Sequence, residues 1–344
     1  MTRPFGIAVI GAGMAALPHA RALNDLIRDG RVAVRGVHTR SAKSRAAFCA
    51  EHGFTPADST EALANDPEVD ALLLLTPPHV RIAPVRLFAE AGKHILCEKP
   101  IGRTVADAEE VVRICDGAGV RLGCVFQHRY RSGSQQLRAM LDDDAFGRIE
   151  LVRCDVPWWR PQSYYDEPGR GTMARDGGGV LMSQAIHTLD LMLSMTGPVT
   201  AVQALTATTG LHSMECEDFA AGGLRFASGA VGSVVATTAA YPGGAEALHL
   251  HCENASVTLQ RGALEIQWLD GRTETIGETA ATGGGADPMA FPHGWHRDLI
   301  AGFAEAVQAG RDPVPSGRDA LAAQRLIDAM IQSSAQGRFM EVAQ

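Results

Sequence analysis

The densest chemistry in the chain is Ser183, Gln184, His187 and Asp190, set in an otherwise apolar run behind Gly177-Gly178-Gly179. Three glycines permit positive φ and close backbone approach. The apolar pattern after them predicts a helix whose N-terminus is rich in free N–H groups. On a regular helix Ser183 and His187 lie one turn apart on a shared face, with Asp190 on a neighbouring line. Such a stripe suits the wall of a reaction pocket, with His187 the group able to exchange a proton near neutral pH. A glycine-rich turn before a core helix, with His187 merely hydrogen-bonded, is the alternative this stretch leaves open.

The elements that must position these groups fall into two grammars. Residues 5–10 form a short apolar run, followed by Gly11-Ala12-Gly13-Met14-Ala15-Ala16 and a helical pattern. Strand, glycine turn and helix are the context in which a dinucleotide fingerprint carries meaning. The two glycines allow a tight turn and the approach of a pyrophosphate to the helix N-terminus, and Ala16 stands in for the third. Strand patterns then recur at 32–37, 71–76, 94–97 and 121–126, with helices at 42–52, 80–91 and 105–118 between them. This alternation predicts an α/β Rossmann domain, a doubly wound parallel sheet, over residues 1–126. Ligands of such sheets bind beyond the carboxyl ends of the strands, which here carry Gly11 to Ala16, Thr76-Pro77-Pro78-His79 and Glu98-Lys99-Pro100.

From residue 127 to 344 the pattern changes to many short alternating runs around one major helix. That predicts an α+β domain with a large, open, mostly antiparallel sheet for substrate binding and self-association. Residues 279–287 read as a glycine-rich loop, and 296–309 and 318–332 as closing helices.

Composition narrows the function classes. A net charge of −8 removes any general attraction to nucleic acid or anionic membrane. No apolar run is long enough to span a bilayer, and no leader pattern opens the chain. Seven scattered cysteines without paired spacing argue for reduced thiols in a cytoplasmic protein, with neither a disulfide framework nor a structural metal site.

Four motifs now stand in order: Gly11-Ala12-Gly13, Thr76-Pro77-Pro78, Glu98-Lys99-Pro100, and Gly177-Gly178-Gly179 leading to His187 and Asp190. Together they resemble the Gfo/Idh/MocA family, the glucose–fructose oxidoreductase and inositol dehydrogenase group, over nearly the whole chain. The resemblance implies a nicotinamide cofactor and an enzyme that moves a hydride to or from a hydroxyl-bearing carbon of a sugar, cyclitol or cyclic diol. It implies Lys99 and His187 as catalytic residues. The chemistry agrees: an imidazole removes the hydroxyl proton as hydride leaves, and an ammonium stabilises the developing alkoxide. Two departures stand out. Ser183 replaces the aspartate that many members carry one turn before the histidine, and Arg81 stands where many carry a histidine. The alternatives are an imine or aldehyde reductase or a cis-dihydrodiol dehydrogenase on the same fold, or a non-catalytic dinucleotide sensor. A sensor needs neither Lys99 nor His187.

The expected cofactor site comprises Gly11, Gly13, Met14, Ala15, Thr39, Arg40, Ser41, Thr76, Pro77, Pro78, His79, Glu98, Lys99 and Gln127. The second strand ends His38-Thr39-Arg40-Ser41, without the acid that binds the ribose of NAD. Arg40 suits a 2′-phosphate, so NADP(H) is favoured, with NAD(H) the alternative. The expected substrate site comprises Lys99, His128, Arg129, Trp158, Trp159, Arg160, Tyr165, Arg170, Ser183, Gln184 and His187. Aromatics of the loop, Tyr164 included, can stack on a sugar ring, and its arginines can grip an acidic group. The aromatics can equally be core or interface residues. Alternating Ala, Val and Thr over 231–240 would make the open sheet face apolar, which predicts a homodimer or homotetramer.

Overall fold

The computed structural model describes residues 3–279, 283–285 and 291–344. Most of the glycine-rich loop expected at 279–287 lies outside the described residues. The chain divides into two compact units, the first of residues 1–127 with 293–321, the second of 128–292 with 322–344.

The first unit is built on a five-stranded parallel sheet: β1 (Phe5–Ile10), β2 (Val32–His38), β3 (Ala71–Leu74), β4 (His94–Cys97) and β5 (Leu122–Cys124), in the order β2-β1-β3-β4-β5. All four residues of β3, Ala-Leu-Leu-Leu, are buried, as a strand with both faces covered requires. Each such leucine contributes about 1.5–3 kcal/mol. The order reverses direction between β1 and β3, which makes their carboxyl ends a topological switch point. The helix Val105–Ala118 shows how local signals set boundaries. Thr104 accepts from the Asp107 N–H at its start, and Gly119 at φ 67° ends it. The fifth strand is shorter than the apolar run 121–126, because the chain turns after Cys124 into a 3-10 segment, Gln127–Tyr130.

The helix Gly294–Gln308 also belongs to this unit. Phe303 meets the Phe5 ring edge-on at 6.3 Å. A Cβ on Gly123 would lie 2.8 Å from the Phe303 ring, so the helix seats tightly on the first sheet. An amphipathic pattern foretells that this helix buries a face, and tertiary packing alone decides which sheet receives it.

The second unit carries a nine-stranded sheet of β6 (Ile149–Pro157), β7 (Val199–Ala207), β8 (Phe219–Phe226), β9 (Val231–Thr237), β10 (Ala247–Cys252), β11 (Ala255–Gln260), β12 (Ala263–Trp268), β13 (Thr273–Ile276) and β14 (Met340–Glu341). Its order is β13-β12-β11-β10-β6-β9-β8-β7-β14, antiparallel throughout except for the parallel pair β6 and β9. The sequence reading omitted β13 and β14, the two edge strands. Thr273 to Thr275 are exposed and carry no apolar alternation, and β14 is two residues long. The helices Ser132–Asp142 and Ile186–Thr196 pack on one face of the sheet. None of the seven cysteines forms a disulfide, and six of them are buried.

Candidate active site

At the switch point, Gly11 adopts φ 109°, and a Cβ there would lie 2.9 Å from the Leu75 carbonyl carbon. Only glycine therefore lets the β1 turn close on the end of β3. Gly13 differs, because a Cβ there would meet nothing within 4 Å. The space in front of it is open, Met14 and Ala15 are exposed, and no side chain caps the helix Ala16–Arg28 that follows. An uncapped helix N-terminus behind an open glycine turn fits a pyrophosphate. Beside it, the buried Thr76 Oγ1 and Gln127 Oε1 have no hydrogen-bond partner among the described residues. Pro77 is exposed, Pro78 opens a 3-10 turn, and His79 is exposed. At the end of β2, Arg40 is exposed, but the Ser41 hydroxyl is engaged as the N-cap of the helix Ala42–His52. Arg45, which the sequence reading passed over, donates to the Thr39 carbonyl at 3.3 Å.

The Glu98-Lys99-Pro100 turn follows β4, and its Lys99–Pro100 peptide is cis. The Glu98 Oε2 accepts the Lys99 N–H at 3.0 Å, and its Oε1 lies 2.9 Å from His19 Nε2. Burial alone would raise the Glu98 carboxyl. The hydrogen bond to His19, with the charges of His19 and Lys99, outweighs it and holds the group at about 2. The His296 ring packs edge-on against His19 at 4.7 Å. Its burial, then the neighbouring His19 charge, push His296 down to about 3. Ligand atoms of His19, Glu98 and His296 lie within 4.8 Å of one another, close enough to hold a metal ion. The 2.9 Å contact is hydrogen-bond spacing, so a shared proton accounts for it. Residues so far apart in the chain left no spacing signal.

In the second unit the glycine run serves two purposes. Gly177 takes φ 77°, and a Cβ on Gly179 would stand 1.8 Å from the Glu217 carbonyl oxygen. Here a correction is needed, because the helix N-terminus is already occupied. The Glu217 carboxylate accepts the N–H groups of Gly179 and Leu181, both at 3.1 Å, and its carbonyl accepts from Val180 at 2.8 Å. Burial raises the Glu217 carboxyl, and those backbone N–H groups act against the rise. The helix is also not regular. Residues Leu181–Ala185 form a π turn before the α-helix Ile186–Thr196. A wider turn moves Ser183 off the line above His187, and such turns cluster at functional sites. His187 is 7% exposed, and its ring stacks on His128 at 4.9 Å. Arg129 donates to the Asp190 carboxylate from Nε at 2.8 Å and from Nη2 at 2.6 Å. Ser183 is half-buried. The buried Gln184 Oε1 has no partner among the described residues.

The loop before the glycines joins this helix through Tyr164. Its hydroxyl accepts from Gln184 Nε2 at 3.3 Å and from Arg170 Nη1 at 2.9 Å. Arg170 lies 4.3 Å over the Tyr164 ring and also pairs with Glu167. The other predicted residues are bound into the loop's own frame. Trp158 is buried and donates to Glu246 Oε2 at 3.0 Å, and Glu246 also holds the buried Arg131 at 2.6 Å. Trp159 packs against His212 and Tyr241. The Tyr165 hydroxyl meets Thr238 Oγ1 at 2.6 Å. Arg160 is buried and donates to the carbonyls of Trp159, Gly283 and Gly285 at 2.7, 2.8 and 2.5 Å. The sequence reading missed Glu246, Arg131 and the His212–Asp218 pair, since a buried polar contact leaves no periodic signal in the chain.

The family model described as "Oxidoreductase family, NAD-binding Rossmann fold" matches residues 5–126, and that described as "GFO/IDH/MocA C-terminal domain" matches residues 134–258. The chain is 31% identical to a 1,5-anhydro-D-fructose reductase of Ensifer adhaerens over 194 residues, which take in 56% of this chain and 57% of that one. This match thus spans little more than half of that relative's length. It is 26% identical to an inositol 2-dehydrogenase of Rhizobium meliloti (strain 1021), with both chains covered in full. Among solved structures it is similar to the WlbA dehydrogenase from Bordetella pertussis in complex with NADH and UDP-GlcNAcA. The TM-score is 0.83 at 27% identity, over 99% of this chain and 100% of that one. Among the described residues no helix is long and apolar enough to cross a membrane.

Proposed function

The chain belongs to the Gfo/Idh/MocA oxidoreductase family with an NAD-binding Rossmann fold, and from that premise we propose that it is a nicotinamide-dependent dehydrogenase or reductase of a hydroxyl-bearing ring carbon in a sugar, cyclitol or cyclic diol. When bound, the nicotinamide dinucleotide supplies the hydride chemistry. Gly13 and the N-terminus of the helix Ala16–Arg28 would hold its phosphates, and Thr76 and Gln127 would offer it their unpaired oxygens. In the oxidative direction His187 removes the hydroxyl proton, and Lys99 stabilises the alkoxide as it forms. Ser183 cannot carry the compensating charge of an aspartate, and the ring that stacks on His187 is that of His128. Gln184 and Tyr164 present hydrogen-bonding groups to the substrate's hydroxyls, and Arg170 stands beside them for an acidic group.

One observation carries this reading. The same chain holds an open dinucleotide turn at Gly13 and a buried imidazole, His187, on a helix whose N-terminal N–H groups are already taken by Glu217. The helix therefore presents side-chain chemistry rather than an anion site. The names of the relatives, an anhydrofructose reductase and an inositol dehydrogenase, support a polyol or sugar substrate. A panel of sugars, cyclitols and uronic acids, followed by nicotinamide absorbance with NAD and NADP in both redox states, tests it. Tight dinucleotide binding without turnover of any member would favour the sensor reading.

For the cofactor, the exposed Arg40 and the absence of an acid at the end of β2 support NADP(H). The WlbA complex contains NADH, which keeps NAD(H) as the alternative. Titration decides, and tighter NAD(H) binding overturns the preference. For assembly, the face of the large sheet away from the helices exposes Leu151, Leu205, Val231 and Val235 at 38, 60, 52 and 39%. These support a homodimer or homotetramer built on that face. A monomeric mass by light scattering at micromolar concentration would overturn it.

A further inference from the structure

We propose that Arg81 is a positioning residue for Lys99, clamping the backbone on both sides of it; the proposal rests on the reading of Lys99 as the group that stabilises the alkoxide. Arg81 stands at the head of the helix Ile82–Glu90 and is 3% exposed. Its Nε and Nη2 both donate to the Thr76 carbonyl, at 2.9 and 2.6 Å. Its Nη1 donates to the carbonyls of Glu98 and Pro100, the residues immediately before and after Lys99. One planar guanidinium thus ties the turn after β3 to the turn after β4. A second grip comes from Glu98, whose Oε2 accepts the Lys99 N–H at 3.0 Å while Oε1 is held by His19 at 2.9 Å. Lys99 is therefore fixed at its own N–H and at the carbonyls flanking it.

Three features separate this from ordinary packing. The clamp is dry, with His19 at 0%, Arg81 at 3% and Glu98 at 8% exposure, so water cannot stand in for a lost donor. Burying a guanidinium carries a desolvation cost that an apolar side chain of similar volume avoids, so filling space does not explain it. The fork geometry is also specific, since donors on three nitrogens fixed in one plane span the carbonyls of two separate turns, which the single Nζ of an ammonium does not. A charge-stabilising ammonium displaced by about 1 Å can lose on the order of a hundredfold in rate, which gives the clamp its functional consequence.

The chain has three lysines, Lys43, Lys93 and Lys99, and that permits a test without any substrate. Reductive methylation with ¹³C-formaldehyde labels each for NMR, and Lys99→Arg identifies the Lys99 signal. Lys43 is exposed, and Lys93 is tied to the carbonyls of Asp66 and Val69 at 2.8 Å each, so both serve as internal controls. In Arg81→Ala the Lys99 signal should move and its titration midpoint should shift by roughly half a unit or more, while Lys43 and Lys93 stay in place. Where Arg81→Ala does not fold, Arg81→Lys carries the test with the same expectation. An unmoved Lys99 signal overturns the clamp, and so does movement of all three signals together, which would mark a merely structural role. Failure of the catalytic reading shows separately, as unchanged turnover in Lys99→Ala.

Discussion

Arg129 and Asp190 meet through two parallel hydrogen bonds, of 2.8 and 2.6 Å, three residues after His187 on the same helix. The Asp190 carboxylate is 1% exposed and the Arg129 side chain 12%. Arg129 neighbours His128, whose ring stacks on His187. The ion pair therefore ties the 3-10 segment Gln127–Tyr130 to the helix that carries the proposed base. Arg129, whose guanidinium is engaged by Asp190, acts here as an anchor for His128.

Removing one partner strands the other as a buried charge. Arg129→Ala should cost about 3–5 kcal/mol of unfolding free energy. The double variant Arg129→Met with Asp190→Leu should recover much of that loss. Urea denaturation of the three proteins measures it, and equal stability of Arg129→Ala and wild type would remove the anchoring role.

Lys99→Ala and His187→Ala should each lower kcat by roughly a hundredfold or more, with little change in dinucleotide affinity. His128→Phe keeps a ring in the stack and should cost less, about tenfold. Single-turnover kinetics on a substrate from the panel read these values. Near-normal turnover in His187→Ala would mean that the proton leaves by another route.

The two loop arginines should behave differently. Arg170 shares the Tyr164 hydroxyl with Gln184, so Arg170→Ala should raise KM for an acidic ring substrate more than it lowers kcat. Arg160 spends its donors on the carbonyls of Trp159, Gly283 and Gly285, so Arg160→Ala should lower the melting temperature as well. Steady-state kinetics and calorimetry on the pair separate the effects. If neither change affects KM, and neutral polyols turn over as well as acidic ones, the acidic-group preference is wrong.

The buried cluster around Glu98 makes stability fall with acid in two stages. His296 titrates at about 3 when folded against an ordinary 6.5, so the unfolded chain binds more protons between those values and stability drops as pH falls below 6.5. Glu98, at about 2 against 4.5, adds a second loss as pH falls below 4.5. Urea midpoints from pH 7 to 3 should show both, and His296→Leu should flatten the segment above 4.5. A wild-type curve level between pH 6.5 and 5 would contradict the first stage.

Periodicity and turn chemistry are local, and they were sufficient for the parallel sheet of the first unit and for most strands of the second. Gly11 and Gly179 stand out in the sequence because their crowded backbone positions admit no Cβ, and Gly13 because it leaves open space in front of the turn. Lys99 and His187 stand out in the sequence because one follows a strand and the other follows a glycine run, the places where side chains of such folds commonly meet ligands. Tertiary structure alone decided which charges were already spent. Glu217 closes the helix N-terminus that the glycines seemed to leave open, Asp190 neutralises Arg129, and three carbonyls occupy Arg160. It alone assembled His19, Glu98 and His296, and set Arg81 across two turns. A buried ionic or hydrogen-bonding group must find its partner wherever the fold brings one, and the partner's distance along the chain has no bearing on the energy.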